Sequence, residues 1–305
     1  MQHEKLIGLV AATYTPLDAS GNVNPSVIGP MVDQLLNQGI SGLYVCGSTG
    51  EGVSLTSDER RQVAETFVEA AKGRLPVIVQ VGHNSLAEAK RLASHAQQIG
   101  AHAISATCPS YFKVTDVATL IDCMEELAAA APSLPFYYYH IPALTGSSLN
   151  ITEFLQRGYE RIPNLVGLKY TDTKLYEFQE CLELNDGQFD VVWGCDEMLL
   201  GALATGARAA IGSTYNIAAP LYCQIITSLQ SGDLAKARQL QSQSVAMIQT
   251  LKQFPFHAAM KAVLTFNGLN VGGCRLPQGR LSETDVFTLK SELESIGFFD
   301  ELPSA

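Results

Sequence analysis

Residues 76–107 read PVIVQVGHNSLAEAKRLASHAQQIGAHAISAT and contain one complete strand–helix–strand unit. The runs Pro76–Gly82 and Ala101–Thr107 are apolar and rich in small or β-branched residues, which is typical of buried strands. Between them, Ser85–Ile99 carries apolar residues at helical spacing, namely Leu86, Ala89, Leu92, Ala93 and Ala96. Gly100 follows the last apolar position, as expected of a helix C-cap. The stretch therefore predicts two parallel strands joined by a helix that covers the sheet.

The same alternation continues on both sides of this unit. Eight strand-like runs can be identified: Gly8–Thr15, Gly42–Gly47, Pro76–Gly82, Ala101–Thr107, Pro135–His140, Leu165–Thr171, Phe189–Gly194 and Ala207–Ser213. Eight units with nearly continuous apolar strands favour a closed (β/α)8 barrel over an open doubly wound sheet. The first strand is not followed by a GxGxxG motif, which weakens the dinucleotide-binding alternative. The predicted fold class is thus α/β, a (β/α)8 TIM barrel.

Only helical patterns follow the eighth unit. They cover Leu234–Gln253, Ala258–Phe266 and Glu283–Ile296, and no Pro-, Ser- or charge-rich linker separates them from the preceding chain. We therefore predict a catalytic barrel domain over residues 1–232 and a C-terminal helical extension over residues 233–305, packed on the barrel.

Composition narrows the classes of partner. Of the 305 residues, 47% are hydrophobic and 16% are charged, which is enough for a sizeable core. A net charge of −10 argues against nucleic acid or an anionic membrane surface as a partner. No apolar run approaches the roughly 18 residues that span a bilayer, and the first residues lack a signal-peptide core. Seven scattered cysteines without a CxxC pair indicate reduced thiols, so we expect a cytoplasmic protein.

The strongest candidate for chemistry is Lys169, near the end of the sixth strand in LVGLKYT. In a TIM barrel the reactive groups lie at the carboxyl ends of the strands. Strand alternation places Gly167 and Lys169 on one face, and small Gly167 leaves room beneath the lysine. Burial favours the uncharged amine, which is the form that attacks a carbonyl carbon. From this strand alone, a lysine that reaches solvent or pairs with a carboxylate is an equally good interpretation.

Other polar residues follow the strands that surround Lys169. Tyr139, in the run FYYYH, could exchange protons with chemistry at the lysine, although aromatic strand packing is the alternative. Ser48 and Thr49 lie in the turn GSTGE, which could hold a carboxylate with neutral donors or serve as an ordinary loop. Asp196 and Glu197 could bind the hydroxyl groups of a polyol or cap the next helix.

Neither Ser213, after the eighth strand, nor the histidines identify a function by themselves. Ser213 follows a glycine in a strand-to-helix loop and is ambiguous between a binding and a loop role. His140 should face away from Tyr139, so we assign it a packing or hydrogen-bonding role. The histidines lack ligand spacing and HExxH is absent, so no metal site is predicted.

Taken together, four motifs resemble the N-acetylneuraminate lyase branch of the pyruvate-aldolase superfamily, which also includes dihydrodipicolinate synthase. The motifs GSTGE, YHIPALTG, GLKYTD and IGSTYN occur in this order, each at the end of a predicted strand. The resemblance extends from Gly8 through the C-terminal helices. It implies a Schiff-base aldolase that reversibly cleaves N-acetylneuraminate to N-acetylmannosamine and pyruvate, with no cofactor, in a homotetramer.

The resemblance also implies roles for individual residues. Lys169 would form the Schiff base, Tyr139 would shuttle protons, and Ser48 and Thr49 would bind the carboxylate of the pyruvate moiety. The hydroxylated chain of the sugar would be held by Thr171, Gly194, Asp196, Glu197 and Ser213. Tyr111 would assist the proton relay of a neighbouring subunit.

The choice of branch depends on fewer residues. Dihydrodipicolinate synthases usually have an arginine where this chain has Leu144, and the loss of that cation favours a neutral, hydroxyl-rich substrate tail. His140 resembles animal-type lyases, whereas Cys195 replaces an aromatic residue of some bacterial members. The alternatives are an aldolase for 2-keto-3-deoxy sugar acids, a dihydrodipicolinate synthase-like enzyme, or a non-catalytic ligand-binding barrel.

Overall fold

The computed structural model describes residues 4–299. Eight parallel strands form a closed barrel in sequence order, and β1 pairs with β8 to complete the ring. The strands are β1 Gly8–Ala12, β2 Gly42–Val45, β3 Val77–Gln80, β4 Ala103–Ala106, β5 Phe136–His140, β6 Leu165–Tyr170, β7 Asp190–Trp193 and β8 Ala209–Gly212. Each lies within one of the eight runs expected from the sequence, so the TIM barrel prediction is confirmed.

Helices follow the strands and form the outer layer. They are α1 Ile28–Asn37, α2 Ser57–Ala71, α3 Leu86–Gln98, α4 Val117–Ala128, α5 Pro142–Thr145, α6 Ile151–Arg161, α7 Leu175–Gly187, α8 Leu199–Thr205, α9 Tyr215–Gln230, α10 Leu234–Lys252, α11 Phe256–Phe266 and α12 Glu283–Ser295. Short 3-10 turns at Pro25–Val27, Gly52–Ser54 and Asp196–Met198 complete the set. Local sequence explains the helix starts: α2 begins with a capping box between Thr56 and Glu59, and Ser85 caps α3.

Two apolar layers follow from the alternation of side chains along the strands. One layer fills the barrel itself and includes Val10, Tyr44, Ile78, Tyr137 and Val192. The other, larger layer lies between the strands and the surrounding helices. Since inward and outward positions alternate, the face of β5 that carries Tyr137 also carries Tyr139.

The helices α10, α11 and α12 form the C-terminal extension that the sequence predicted. The predicted boundary at residue 232 falls in the short segment between the end of α9 and the start of α10. The division into a domain of residues 1–232 and an extension of residues 233–305 stays a prediction, and residues 1–3 and 300–305 lie outside the described part of the chain. Across residues 4–299, every helix is too short or too polar to cross a bilayer.

Candidate active site

The carboxyl ends of the strands surround a cavity of about 300 Å³. All nine residues named from the sequence as catalytic or substrate-binding line it: Lys169, Tyr139, Ser48, Thr49, Thr171, Gly194, Asp196, Glu197 and Ser213. Two larger cavities, of about 650 and 990 Å³, lie elsewhere, and none of the nine residues lines either of them. The predicted site residues are therefore brought together in one place, although their roles are not decided by position alone.

Lys169 points into the barrel from β6 and is 4% exposed. Its Nζ lies 4.4 Å from the ring centroid of Tyr44 and 4.2 Å from that of Tyr139. Tyr139 is the direct partner of Lys169 in the ladder between β5 and β6. The amine is therefore held between two aromatic rings that meet edge to face. Below it, a side chain at Gly167 would overlap the backbone of Asp190, so only glycine fits there.

Tyr44 was not among the residues named from the sequence. It lies on β2, faces the barrel interior, and donates a hydrogen bond of 3.0 Å to Ser105 Oγ. Its ring also packs where a Cβ of Gly47 would lie, so it connects the lysine with the GSTGE turn. The signal that could have revealed it is strand alternation, which places a large polar aromatic residue on the inner face of β2.

The GSTGE turn meets the end of β8 at the cavity. The hydroxyl oxygens of Thr49 and Ser213 lie 2.6 Å apart, while Ser48 lines the same wall. Thr49 is buried, so this contact holds its side chain against Ser213, and either hydroxyl can be the donor. The two loops thus present neutral hydroxyl donors, which suits a carboxylate held without a basic side chain.

Asp196 lies at the buried end of the polar wall. Its Oδ2 accepts hydrogen bonds from the backbone N–H of Thr214 at 2.9 Å and from the Thr214 hydroxyl at 2.6 Å. Burial raises the pKa of the Asp196 carboxyl, and the hydrogen bonds from Thr214 oppose this effect. The carboxylate packs against Gly212, where any side chain would overlap it. The Asp196 carboxylate is therefore held in one position in the cavity wall, and the absence of a side chain at Gly212 leaves the space that it occupies.

Thr171 and Gly194 form a second tight pair in the wall. Among residues 4–299, the buried Oγ1 of Thr171 has no hydrogen-bond partner. A Cβ at Gly194 would overlap that oxygen, so the glycine keeps the hydroxyl in place. An unpartnered buried hydroxyl that lines a cavity is ready to bond a ligand.

The C-terminal helices contribute residues that the sequence did not identify. Lys252, from the last turn of α10, and Phe256 and His257, from the start of α11, line the cavity. Lys252 Nζ pairs with Glu197 Oε1 at 2.8 Å. His257 Nδ1 lies 3.1 Å from the Tyr14 hydroxyl, and burial lowers the pKa of its imidazole. No local motif marks these residues, because they reach the site only through the packing of the extension.

His140 faces away from Tyr139, as predicted, and lies outside the cavity. One of its ring nitrogens, one oxygen of Asp172 and one of Glu177 lie within 4.8 Å of one another, a grouping that the sequence spacing did not predict. Both carboxylates have protein partners: Asp172 pairs with Lys174 at 3.1 Å, and Glu177 accepts a 2.7 Å hydrogen bond from Tyr170. Burial lowers the pKa of His140 to about 4. The predicted packing or hydrogen-bonding role of His140 fits this position.

Tyr111 is 80% exposed and meets the equally exposed Phe112 edge to face. It is not among the residues that line the cavity of its own chain. Asn84 Oδ1 accepts a hydrogen bond from the backbone N–H of Tyr111, which fixes the loop. Its predicted role in a neighbouring subunit stays a prediction.

Comparison with known proteins places this chain in a family. The profile of the dihydrodipicolinate synthetase family matches residues 5–296, nearly the full length of the chain. The chain belongs to the dihydrodipicolinate synthetase family. This agrees with the superfamily that the four sequence motifs indicated.

Within this family, the chain is similar to N-acetylneuraminate lyases. The Rattus norvegicus enzyme is 41% identical over 300 residues, which cover 97% of this chain and 94% of the rat protein. The Homo sapiens N-acetylneuraminate lyase is 42% identical over 300 residues, with the same coverage of 97% and 94%. The similarity to N-acetylneuraminate lyases thus extends over 97% of the chain and agrees with the branch that the sequence motifs indicated.

Solved structures give the same result. The N-acetylneuraminate lyase of Aliivibrio salmonicida superposes with a TM-score of 0.95 at 41% identity, covering 97% of this chain and 98% of that one. A catalytic lysine mutant of the Ruminococcus gnavus sialic acid aldolase superposes with a TM-score of 0.92 at 27% identity, covering 97% of both chains. The fold and its family are thus established independently of the site residues.

Proposed function

We propose that the chain is a Schiff-base (class I) aldolase that reversibly cleaves N-acetylneuraminate to N-acetylmannosamine and pyruvate. The observation that carries this proposal is the position of Lys169: its amine lies in a cavity at the carboxyl end of the barrel, between two tyrosine rings. A buried lysine with no carboxylate partner among the described contacts suits a nucleophile better than a structural cation. The rat and human relatives are N-acetylneuraminate lyases, which supports this activity.

The first half of the reaction joins enzyme and substrate. The uncharged amine of Lys169 attacks the keto carbon C2 of the open-chain sugar acid, and the resulting carbinolamine loses water to give a protonated imine. Since the nitrogen carries positive charge, the imine withdraws electrons from the neighbouring carbon atoms. This covalent electron sink is what the reaction needs, so the proposed mechanism calls for no metal or cofactor.

The second half breaks the C3–C4 bond. The C4 hydroxyl gives up its proton to the Tyr139 oxygen, directly or through a relay, and C4 becomes the aldehyde carbon of N-acetylmannosamine. The bonding electrons move into the imine and leave an enamine of pyruvate on Lys169. Protonation of the enamine at C3 and hydrolysis of the imine release pyruvate and restore the free amine.

Two parts of the cavity wall bind two different parts of the substrate in this proposal. We assign the substrate carboxylate to the hydroxyl groups of Ser48 and Thr49, whose turn offers neutral donors beside Ser213. We assign the hydroxylated chain to a set of five residues that line the cavity and include hydroxyl and carboxylate groups, namely Thr171, Gly194, Asp196, Glu197 and Ser213. This arrangement lets an acidic protein of net charge −10 bind an anion without a basic patch.

The proposal extends to the assembly and location of the enzyme. We propose a homotetramer in the cytoplasm, with the sugar acid substrate and pyruvate among its small-molecule partners. The adjacent exposed aromatic side chains Tyr111 and Phe112 support an interface between subunits, because aromatic residues are enriched where proteins associate.

The test follows pyruvate release from N-acetylneuraminate with a coupled dehydrogenase. The wild type should release pyruvate, and Lys169→Ala should not. Lys236→Ala, an exposed lysine on α10, is the matched control and should behave as the wild type. Borohydride with pyruvate should attach a reduced adduct to the wild type and to the control only. Cleavage of 2-keto-3-deoxy sugar acids but not of N-acetylneuraminate would replace this proposal with the alternative aldolase.

A further inference from the structure

The cavity contains a charged pair whose cation comes from outside the barrel. Lys252 Nζ lies 2.8 Å from Glu197 Oε1, and both residues line the cavity. Lys252 is the last residue of α10, whereas Glu197 belongs to the 3-10 turn after β7. The side chains are 48% and 36% exposed, so the pair lies at the mouth and can be reached by a ligand.

The position of Lys252 is fixed by the attachment of α10 to the turn. Gln241, on the same helix, accepts a 2.8 Å hydrogen bond from the backbone N–H of Leu200 and donates one of 3.3 Å to the Asp196 carbonyl. The helix is thus attached to the segment on both sides of Glu197. This attachment holds α10 against the cavity wall, where the end of the helix brings Lys252 to Glu197.

Stability alone gives little reason for this pair. Solvent-exposed ion pairs contribute only about 0–1 kcal/mol, since water and salt screen them. A lysine in the last turn of a helix also gains little from the helix dipole. The pair is therefore better explained by what it does to the charge and the hydrogen-bonding capacity of the cavity mouth.

Without Lys252, the wall would present the carboxyl groups of Asp196 and Glu197 side by side to an anionic substrate. The ammonium group offsets the charge of Glu197 and adds three donors beside its oxygen acceptors. Vicinal hydroxyl groups need both kinds of partner, because each hydroxyl donates one hydrogen bond and accepts others. A carboxylate and an ammonium group 2.8 Å apart match such a diol.

We propose that Lys252 is a specificity-determining residue that, paired with Glu197, binds the distal hydroxyl groups of the sugar. This inference rests on the proposed aldolase activity and deepens it. It assigns part of the sugar site to the C-terminal extension, so that α10 completes a site otherwise built on the barrel. The pyruvate portion, held near Lys169, does not depend on Lys252.

The synthetic direction separates these two portions, because N-acetylmannosamine and pyruvate are then independent substrates. Lys252→Met should raise the KM for N-acetylmannosamine about tenfold, the loss expected of one charge-assisted hydrogen bond. The KM for pyruvate, and its half-saturation in borohydride trapping, should stay within twofold of wild type. Lys252→Arg should keep the KM for N-acetylmannosamine within about threefold, and Lys236→Met, on the same helix, should have no effect.

Each outcome has a separate meaning. An unchanged KM for N-acetylmannosamine in Lys252→Met, or an equal rise for both substrates, overturns the inference and leaves the aldolase proposal intact. The second pattern would indicate that Lys252 only holds the structure in place. A wild type that joins no pyruvate to N-acetylmannosamine and cleaves no N-acetylneuraminate overturns the aldolase proposal, and the inference with it.

Discussion

Lys261 Nζ and Glu51 Oε1 lie 2.7 Å apart, and each side chain is only 1% exposed. Lys261 also donates to the carbonyl oxygens of Thr15 at 3.1 Å and Gly273 at 2.7 Å. Glu51 closes the GSTGE turn with a left-handed backbone and accepts a 2.8 Å hydrogen bond from the backbone N–H of Arg275. A buried, fully bonded ion pair therefore fastens the turn that carries Ser48 and Thr49 to the C-terminal helices.

Replacing Lys261 with methionine should lower the free energy of unfolding by about 3–5 kcal/mol, because the Glu51 carboxylate would be left buried without its counter-charge. Urea denaturation measures the loss. Lys90→Met is the matched control, since Lys90 pairs with Glu126 at the surface at 3.0 Å, and it should cost less than about 1 kcal/mol. Equal losses in the two variants would show that the buried ion pair stabilises the fold no more than the surface ion pair does.

The sequence predicted the barrel because each strand carries its own signal, a short apolar run before a helical repeat. The carboxyl ends of barrel strands converge whatever loops follow them, which made Lys169, Tyr139 and the polar loop residues candidates for one site. The choice of Thr171 and Gly194, and the role of each of the nine residues, came from the resemblance of the four motifs. The sequence did not predict Lys252 or His257, since contact between the extension and the cavity depends on long-range packing. Lys261 did leave a signal, a lone charge within the apolar helix AAMKAVLTF.

Tyr139→Phe should lower kcat by about 10²–10⁴-fold, the usual contribution of a positioned acid–base group, and change KM little. The variant should still form the borohydride-trapped adduct, because Lys169 is intact. Steady-state rates of pyruvate release give the comparison.

Tyr137→Phe is the control for that variant, because Tyr137 occupies the same strand face two residues earlier. Its hydroxyl donates a 2.6 Å hydrogen bond to Asp190 Oδ2, below the cavity. Its loss should lower stability by about 1–3 kcal/mol, because the buried Asp190 carboxylate loses one of its hydrogen-bond donors, with kcat nearly unchanged. A kcat loss as large as that of Tyr139→Phe would argue against a specific proton-transfer role for Tyr139.

Gly194→Ala should raise the KM for N-acetylneuraminate about tenfold, because the new methyl group would displace the Thr171 hydroxyl that lines the cavity. Borohydride trapping of pyruvate should be affected less, since it requires no sugar chain. Gly29→Ala, where the added carbon meets no atom within 4 Å, should leave KM unchanged. An unchanged KM in Gly194→Ala would remove Thr171 from the proposed sugar site.

Stability should fall as the pH is lowered from about 6.5 to about 4, and His140 should account for part of this fall. Burial lowers the pKa of His140 to about 4 in the folded chain, whereas an unfolded histidine titrates near pH 6.5. Between these values the unfolded state binds more protons, so acid favours unfolding. The nearby charges act in both directions, as Asp172 favours the protonated imidazole and Lys174 opposes it.

The size of the His140 contribution follows from the same shift. A difference of about 2.5 pKa units corresponds to roughly 3 kcal/mol, fully lost below pH 4. Urea denaturation of the wild type and of His140→Gln at pH 7, 5.5 and 4.5 isolates this contribution, because the other titrating groups are common to both proteins. The stability of the variant should depend less steeply on pH, even if it is lower at pH 7. Parallel curves would mean that His140 is protonated equally in the folded and unfolded chains.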